Sequence, residues 1–211
     1  MRMRRKKNGA ARRELCREIM VENPADYKGE WRRYFGNDNP VHLELGCGKG
    51  GFILQLAALN PHINYIAMER YADALLMALE KGIELKLPNL RFVLADGAKL
   101  GEYFAPGELE RIYLNFSDPW PKARHAKRRL TSPGFLAVYR PLLSGSLIFK
   151  TDNRPLFDYS LETFAAEGWR LENVNFDLHN SPDAATNIMT EYEKNFSSQG
   201  FAINRLEAFP S

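Results

Sequence analysis

With 211 residues, 45% apolar, 26% charged and a net charge of +3, the chain has the composition of an ordinary globular protein and the length for one domain with a full hydrophobic core. It holds no run of about 18 apolar residues and no apolar segment behind its basic start, so a cytoplasmic protein with no membrane partner is expected. Its two cysteines, Cys16 and Cys47, are too few for a disulfide framework and lack the spacing of a zinc site, so no metal is expected.

In chain order, residues 1–39 read as a basic and aromatic extension, partly disordered, with some ordering at "YKGEWRRYF". From residue 40 to 211 a single domain is expected. Strand candidates fall at 41–45, 64–68, 90–95, 111–116, 146–151, 169–178 and 201–209, with helical patterns between them at 51–59, 72–86, 134–142, 155–167 and 191–198. Alternation of this kind predicts an α/β fold, a seven-stranded and mostly parallel sheet with helices on both faces. The shorter, less regular connection between the last two strands predicts one antiparallel strand there.

Charge is unevenly placed along this order. Residues 1–17 carry eight Lys or Arg against one Glu, and 122–129 carry five against none, which leaves the rest of the chain at net −9. Such concentration favours a polyanionic partner, although a solvated tail would account for the N-terminal run alone.

"LELGCGKGGF" sets Gly46, Gly48 and Gly51 between the first of these strands and a helix, where a backbone without side chains can come close to a ligand. The spacing alone also fits a dinucleotide fold. Glu44, two residues before Gly46, argues against a pyrophosphate and for a cationic ligand such as S-adenosylmethionine, whose amino and sulfonium groups are positive. Glu69 ends the next strand, where a carboxylate accepts from ribose hydroxyls. Asp96 follows the third strand and Asp118 the fourth. A parallel sheet gathers these four acids at one carboxyl edge, although each alone also reads as a turn acid, a strand end or a satisfied core group.

With "LELGCGKGGF", "YLNFSDPWPKARHAKRRL", "FKTDN" and "NIMTEYE" in this order, the chain resembles the bacterial tRNA (guanine-N7)-methyltransferases from about residue 20 onward. The resemblance implies a Rossmann-like class I methyltransferase acting on guanine 46 of the tRNA variable loop. It implies cofactor contacts at Glu44, Gly46, Gly48, Glu69, Asp96 and Asp118, with Asp118 also catalytic. Lys122, Asp152, Thr190, Glu191, Tyr192 and Glu193 would contact the substrate, and Arg124, His125, Ala126, Lys127, Arg128 and Arg129 the RNA. The sequence departs from the family's pattern at Ala123, where a second lysine is common, and at Ala67, Met68 and Glu69, where a Gly commonly precedes the acid.

Guanine N7 carries a lone pair and no proton, so methylating it needs alignment rather than a general base. Positive charge appears on the guanine during transfer, and a fixed carboxylate stabilises it, a role that suits Asp118. Pro119 and Pro121 set that acid and Trp120 on a stiff corner, where Trp120 either stacks on a base or plugs the turn. Thr190 and Glu193 have capping-box spacing as well as their implied substrate role. Two other readings stand beside this one, an inactive RNA-binding protein on the same scaffold and a dehydrogenase. A monomer or homodimer is expected, with tRNA as partner.

Overall fold

The computed structural model describes residues 6–210, so the first five residues of the basic extension lie outside the described residues. In chain order the elements are α1 (Gly9–Glu14), β1 (Met20–Val21), α2 (Trp31–Phe35), β2 (Val41–Leu45), α3 (Gly51–Leu59), β3 (Asn64–Glu69), α4 (Ala72–Leu85), β4 (Leu90–Leu94), α5 (Leu100–Tyr103), β5 (Leu109–Asn115), α6 (Pro133–Leu142), β6 (Leu143–Thr151), α7 (Arg154–Ala166), β7 (Arg170–Asn175), α8 (Glu191–Ser197) and β8 (Asn204–Phe209). They build one sheet in the order β1-β4-β3-β2-β5-β6-β8-β7.

The architecture is the expected α/β type, with β8 running antiparallel to both β6 and β7 and the remaining pairings parallel. The strand count is eight rather than seven. The extra one is β1, only two residues long, which pairs with Phe92 and Val93 of β4. So short a strand has no readable alternation, which is why the periodicity passed over it. The stretch before residue 40 also buries Trp31 completely, with the indole N–H donating to the Tyr103 carbonyl at 2.9 Å.

Strands buried on both faces read as continuous apolar runs, and β2 is buried at all five positions. The two faces of the sheet carry separate cores. Leu43 and Leu45 join Ile66, Met68, Ile112, Tyr139 and Phe157 on the face covered by α6 and α7, whereas Ala67, Phe92 and Tyr113 meet Phe52, Ile53, Leu75 and Leu79 of α3 and α4. In α4, burial of Ala74, Leu75, Ala78, Leu79 and Gly82 follows the three-to-four spacing of one helix face.

Strand order reverses between β2 and β5, and that is where a doubly wound sheet opens a crevice at its carboxyl edge. Among the described residues, no helix is long and apolar enough to cross a membrane.

Candidate active site

The crevice at the β2/β5 switch point has two compartments sharing Gly46, Asn115 and Phe116. One, of about 500 Å³, runs from Glu44 and the glycine loop to Thr190, Glu191 and Tyr192. The other, of about 270 Å³, is lined by Glu69, Asp96, Asp118, Trp120 and Arg128. The four strand-end acids are therefore brought together, although each carboxylate is held differently.

Glu44 lies inside β2 and is 2% exposed. Asn115 Nδ2 donates to its Oε1 at 2.9 Å, while Oε2 has no partner among the described residues. Burial drives its pKa up to about 7, against the pull of the Asn115 bond, the Lys150 charge and, least, the nearby Ile53 backbone, which makes no full hydrogen bond to Oε2. Lys150 acts on this carboxylate without forming an ion pair with it among the described residues, and the unfilled oxygen belongs to a side chain on the compartment wall.

Glu69 ends β3 and has already committed much of its acceptor capacity. Oε1 accepts from the backbone N–H of Arg70 and Tyr71 at 2.8 and 2.9 Å, and Oε2 from Gly48 at 3.1 Å. Of the roughly four acceptor positions of a carboxylate, one is left for a ligand hydroxyl. The Gly48 bond also ties the glycine loop to β3. Asp96 is exposed, and its Oδ1 caps the following turn through Ala98 N–H at 3.0 Å.

The loop glycines serve two purposes. Gly46 and Gly48 adopt φ of 83° and 56°, yet a Cβ at either position would meet nothing within 4 Å, so conformation rather than space requires them. Gly51 is the opposite case: a Cβ there would come within 2.9 Å of Glu191 Cγ. It makes room for the distant start of α8.

Asp118 stands exposed on the wall of the smaller compartment, three residues beyond β5. The corner carrying it is bent at Phe116 and Trp120, both non-glycine residues in the left-handed region at φ 52° and 43°. Phe116 packs 5.2 Å from Tyr192, centroid to centroid. Trp120 lies edge-on to His125 at 5.7 Å, with the Arg128 guanidinium 4.9 Å over its ring.

The basic run folds as a 3-10 turn over Ala123–Arg128, with Lys122 as its N-cap residue. Lys122, Arg124 and Lys127 are exposed, and Lys122 lines neither compartment. Ala126 is half-buried and carries no charge to offer. Arg129, expected to contact RNA, has part of its donor set engaged within the chain. Its Nε and Nη2 donate to the carbonyls of Pro119 and Trp120 at 3.0 and 3.2 Å, turning the guanidinium inward.

The "TEYE" segment divides in a similar way. Glu193, expected to touch substrate, is 0% exposed, and its two oxygens accept from Lys150 Nζ (2.8 Å), His179 Nε2 (2.9 Å), Asn187 Nδ2 (2.6 Å) and Thr190 N–H (3.3 Å). With both oxygens filled and no surface, it holds the segment together instead. Thr190 completes a capping box with it, and Thr190 Oγ1 accepts from Glu193 N–H at 2.8 Å. Glu191 and Tyr192 point to the larger compartment. Glu191 is ion-paired with Lys81 of α4, and the nearby Asp152 carboxylate, just past β6, joins burial in raising the pKa of the Tyr192 hydroxyl.

Sequence reasoning missed Asn115 and Lys150. Asn115 reads as one more polar residue at a strand end, but it orients Glu44. Lys150, inside "FKTDN", is 2% exposed and anchors Asn187, Ile188 and Glu193. The available signal was a lysine flanked by the apolar run "SLIF" in a central strand.

A family described as "Putative methyltransferase" matches residues 38–206. The tRNA (guanine-N(7)-)-methyltransferase of Lactococcus lactis subsp. cremoris (strain MG1363) is 54% identical over 211 residues, covering 99% of this chain and 97% of that protein. The protein of the same name from Listeria monocytogenes serovar 1/2a is 52% identical over 210 residues, covering 99% and 98%. Among solved structures, the 16S rRNA methyltransferase KamB aligns with a TM-score of 0.66 over 87% of this chain and 93% of its own, at 18% identity, which is a likeness of fold.

Proposed function

The chain belongs to the bacterial tRNA (guanine-N7)-methyltransferase family, and on that premise we propose that it transfers a methyl group from S-adenosylmethionine to N7 of guanine 46 in the tRNA variable loop, leaving 7-methylguanosine and S-adenosylhomocysteine. The reaction belongs in the cytoplasm, with tRNA as the macromolecular partner.

One observation carries the choice of donor: the buried, unpartnered Oε2 of Glu44 on the compartment wall. A pyrophosphate there would face a carboxylate across a medium of low dielectric, whereas an ammonium would complete it. This favours the methyl donor over a dinucleotide. When bound, S-adenosylmethionine supplies an electrophilic methyl carbon activated by its sulfonium.

The chain's own residues then have separable tasks. Glu44 holds the donor's cationic end, Glu69 accepts from the ribose with its remaining acceptor position, and Asp96 marks the adenine side. Glu191 and Tyr192 receive the guanine in the larger compartment, with Asp152 near the Tyr192 hydroxyl. Asp118, on the wall of the smaller compartment, stabilises the positive charge that develops on the guanine ring. No side chain has to remove a proton, because N7 has none to lose. Lys122, Arg124 and Lys127 draw in the RNA backbone.

Incubating tRNA with labelled donor, then cleaving chemically at 7-methylguanosine, tests donor, acceptor and position together. In the same assay Asp118→Ala should cut methyl transfer by about 10²- to 10³-fold while the protein remains folded; wild-type turnover in that variant would remove Asp118 from the chemistry. Binding of NAD without binding of S-adenosylmethionine would return the dehydrogenase reading.

A further inference from the structure

Asp118 depends on its main chain for placement, since among the described residues no hydrogen bond reaches its carboxylate. The two peptides immediately after it, with the carbonyls of Pro119 and Trp120, are the ones Arg129 grips through Nε at 3.0 Å and Nη2 at 3.2 Å. Between them lies Trp120 at φ 43°, a conformation that an L-residue with a bulky side chain keeps only when its surroundings hold it. The flanking prolines fix their own φ but not that of Trp120. The Cζ of the same guanidinium lies 4.1 Å over the Tyr159 ring centroid on α7, so the fork is backed by a helix of the core.

We propose that Arg129 is a positioning residue for Asp118: a rigid fork that holds the strained Pro119–Trp120 corner against α7 and so fixes where the carboxylate stands, rather than a contact to RNA phosphate. The inference rests on the role given to Asp118 above. It divides the basic run by task. Lys122, Arg124 and Lys127 face solvent, Arg128 covers the Trp120 ring on the compartment wall, and Arg129 is an internal brace. Arginine suits this brace because its planar donors span two acceptors at once, which an ammonium cannot do with fixed geometry.

The test combines Arg129→Met, Arg129→Lys, Asp118→Asn and the double variant Asp118→Asn/Arg129→Met. Single-turnover methyl transfer is measured at saturating tRNA and donor, and tRNA affinity is measured against salt. Arg129→Met should lower the rate about 100-fold, the scale of a misplaced reacting group, with tRNA affinity and its salt dependence unchanged. Arg129→Lys should recover part of the rate. In the Asp118→Asn background, Arg129→Met should cost less than about twofold more, because a brace has nothing left to position. A rate retained at saturating tRNA, together with a salt slope lower by about 0.7 to 0.9, would overturn the proposal in favour of a phosphate contact. So would full multiplication of the two single effects. Should Arg129→Met fail to fold, Tyr159→Leu removes only the ring behind the fork. It should then lower the rate roughly 2- to 5-fold with the salt slope kept, and an unchanged rate overturns the proposal. Wild-type protein that does not methylate tRNA would instead remove the functional reading beneath it.

Discussion

Glu44 and Glu193 are both carboxylates withdrawn from water, at 2% and 0% exposure, and they are held in opposite ways. For Glu193 burial alone would raise the pKa, but the Lys150 ammonium and the bonds from Lys150, His179 and Asn187 outweigh it and pull the value below the ordinary carboxylate range. Glu44 has one side-chain hydrogen bond and an oxygen that makes no full bond, and its pKa rises to about 7. A buried charge that is fully satisfied is part of the architecture, whereas one left half satisfied calls for a further partner. The comparison assigns Glu193 to the knot that holds the α8 segment over the crevice, and Glu44 to the crevice itself.

The largest expected effect sharpens the Glu193 side. Lys150→Met removes the ammonium from a buried carboxylate and should lower the unfolding free energy by about 3 to 5 kcal/mol, measured by denaturant titration. Adding Glu193→Met should restore much of that loss. A single variant as stable as the wild type would mean the knot is not held by this pair.

Next comes Glu44→Gln. In the free protein it should leave stability at pH 8 unchanged or raised, because it removes an incompletely paired charge. Donor binding should weaken by about 1.5 to 3 kcal/mol, read by calorimetric titration. The pH dependence follows from the raised pKa. Protonated Glu44 suits the empty site, so its contribution to the free protein's stability is complete below about 4.5 and is lost as pH rises through about 7. A cationic donor needs the ionised form. Its affinity should fall as pH drops below about 7, approaching tenfold per unit, and Glu44→Gln should flatten that dependence. An identical pH profile in the two proteins would break the comparison.

Two smaller effects concern exposed residues. Glu191→Ala, next to the knot but on the compartment wall, should change stability by no more than about 0.5 kcal/mol and leave donor affinity alone while lowering tRNA methylation. Arg124→Ala should flatten the slope of log affinity against log salt by about 0.7 to 0.9, without changing the rate at saturating tRNA.

Much of this was legible in the chain before it folded. The strands β2 to β6 and the helices α3, α4, α6 and α7 announce themselves by apolar runs and by three-to-four spacing, and both patterns are local. Glu44, Glu69, Asp96 and Asp118 could be found because each is counted from a strand end, and a parallel sheet turns that position into proximity. The glycine loop was legible in place but only partly in reason, since Gly51 makes room for Glu191, 140 residues further along the chain. The inward bonds of Arg129 and Glu193 were not legible for a common cause: each sits in a polar motif whose neighbours face solvent, and nothing local tells which member turns inward.

By itself, the sequence determined the α/β alternation, the carboxyl edge on which the acids gather, and the concentration of positive charge beside Asp118, because these depend on spacing along the chain. Only the tertiary structure decided that Glu44 keeps an oxygen without a full bond while Glu193 keeps none, and that Arg129 grips the corner rather than the solvent. Those outcomes rest on Lys150, Asn115 and Tyr159 arriving from other strands and helices. The energy of a buried charge or an inward guanidinium is set by such partners, not by the residues next to it in sequence.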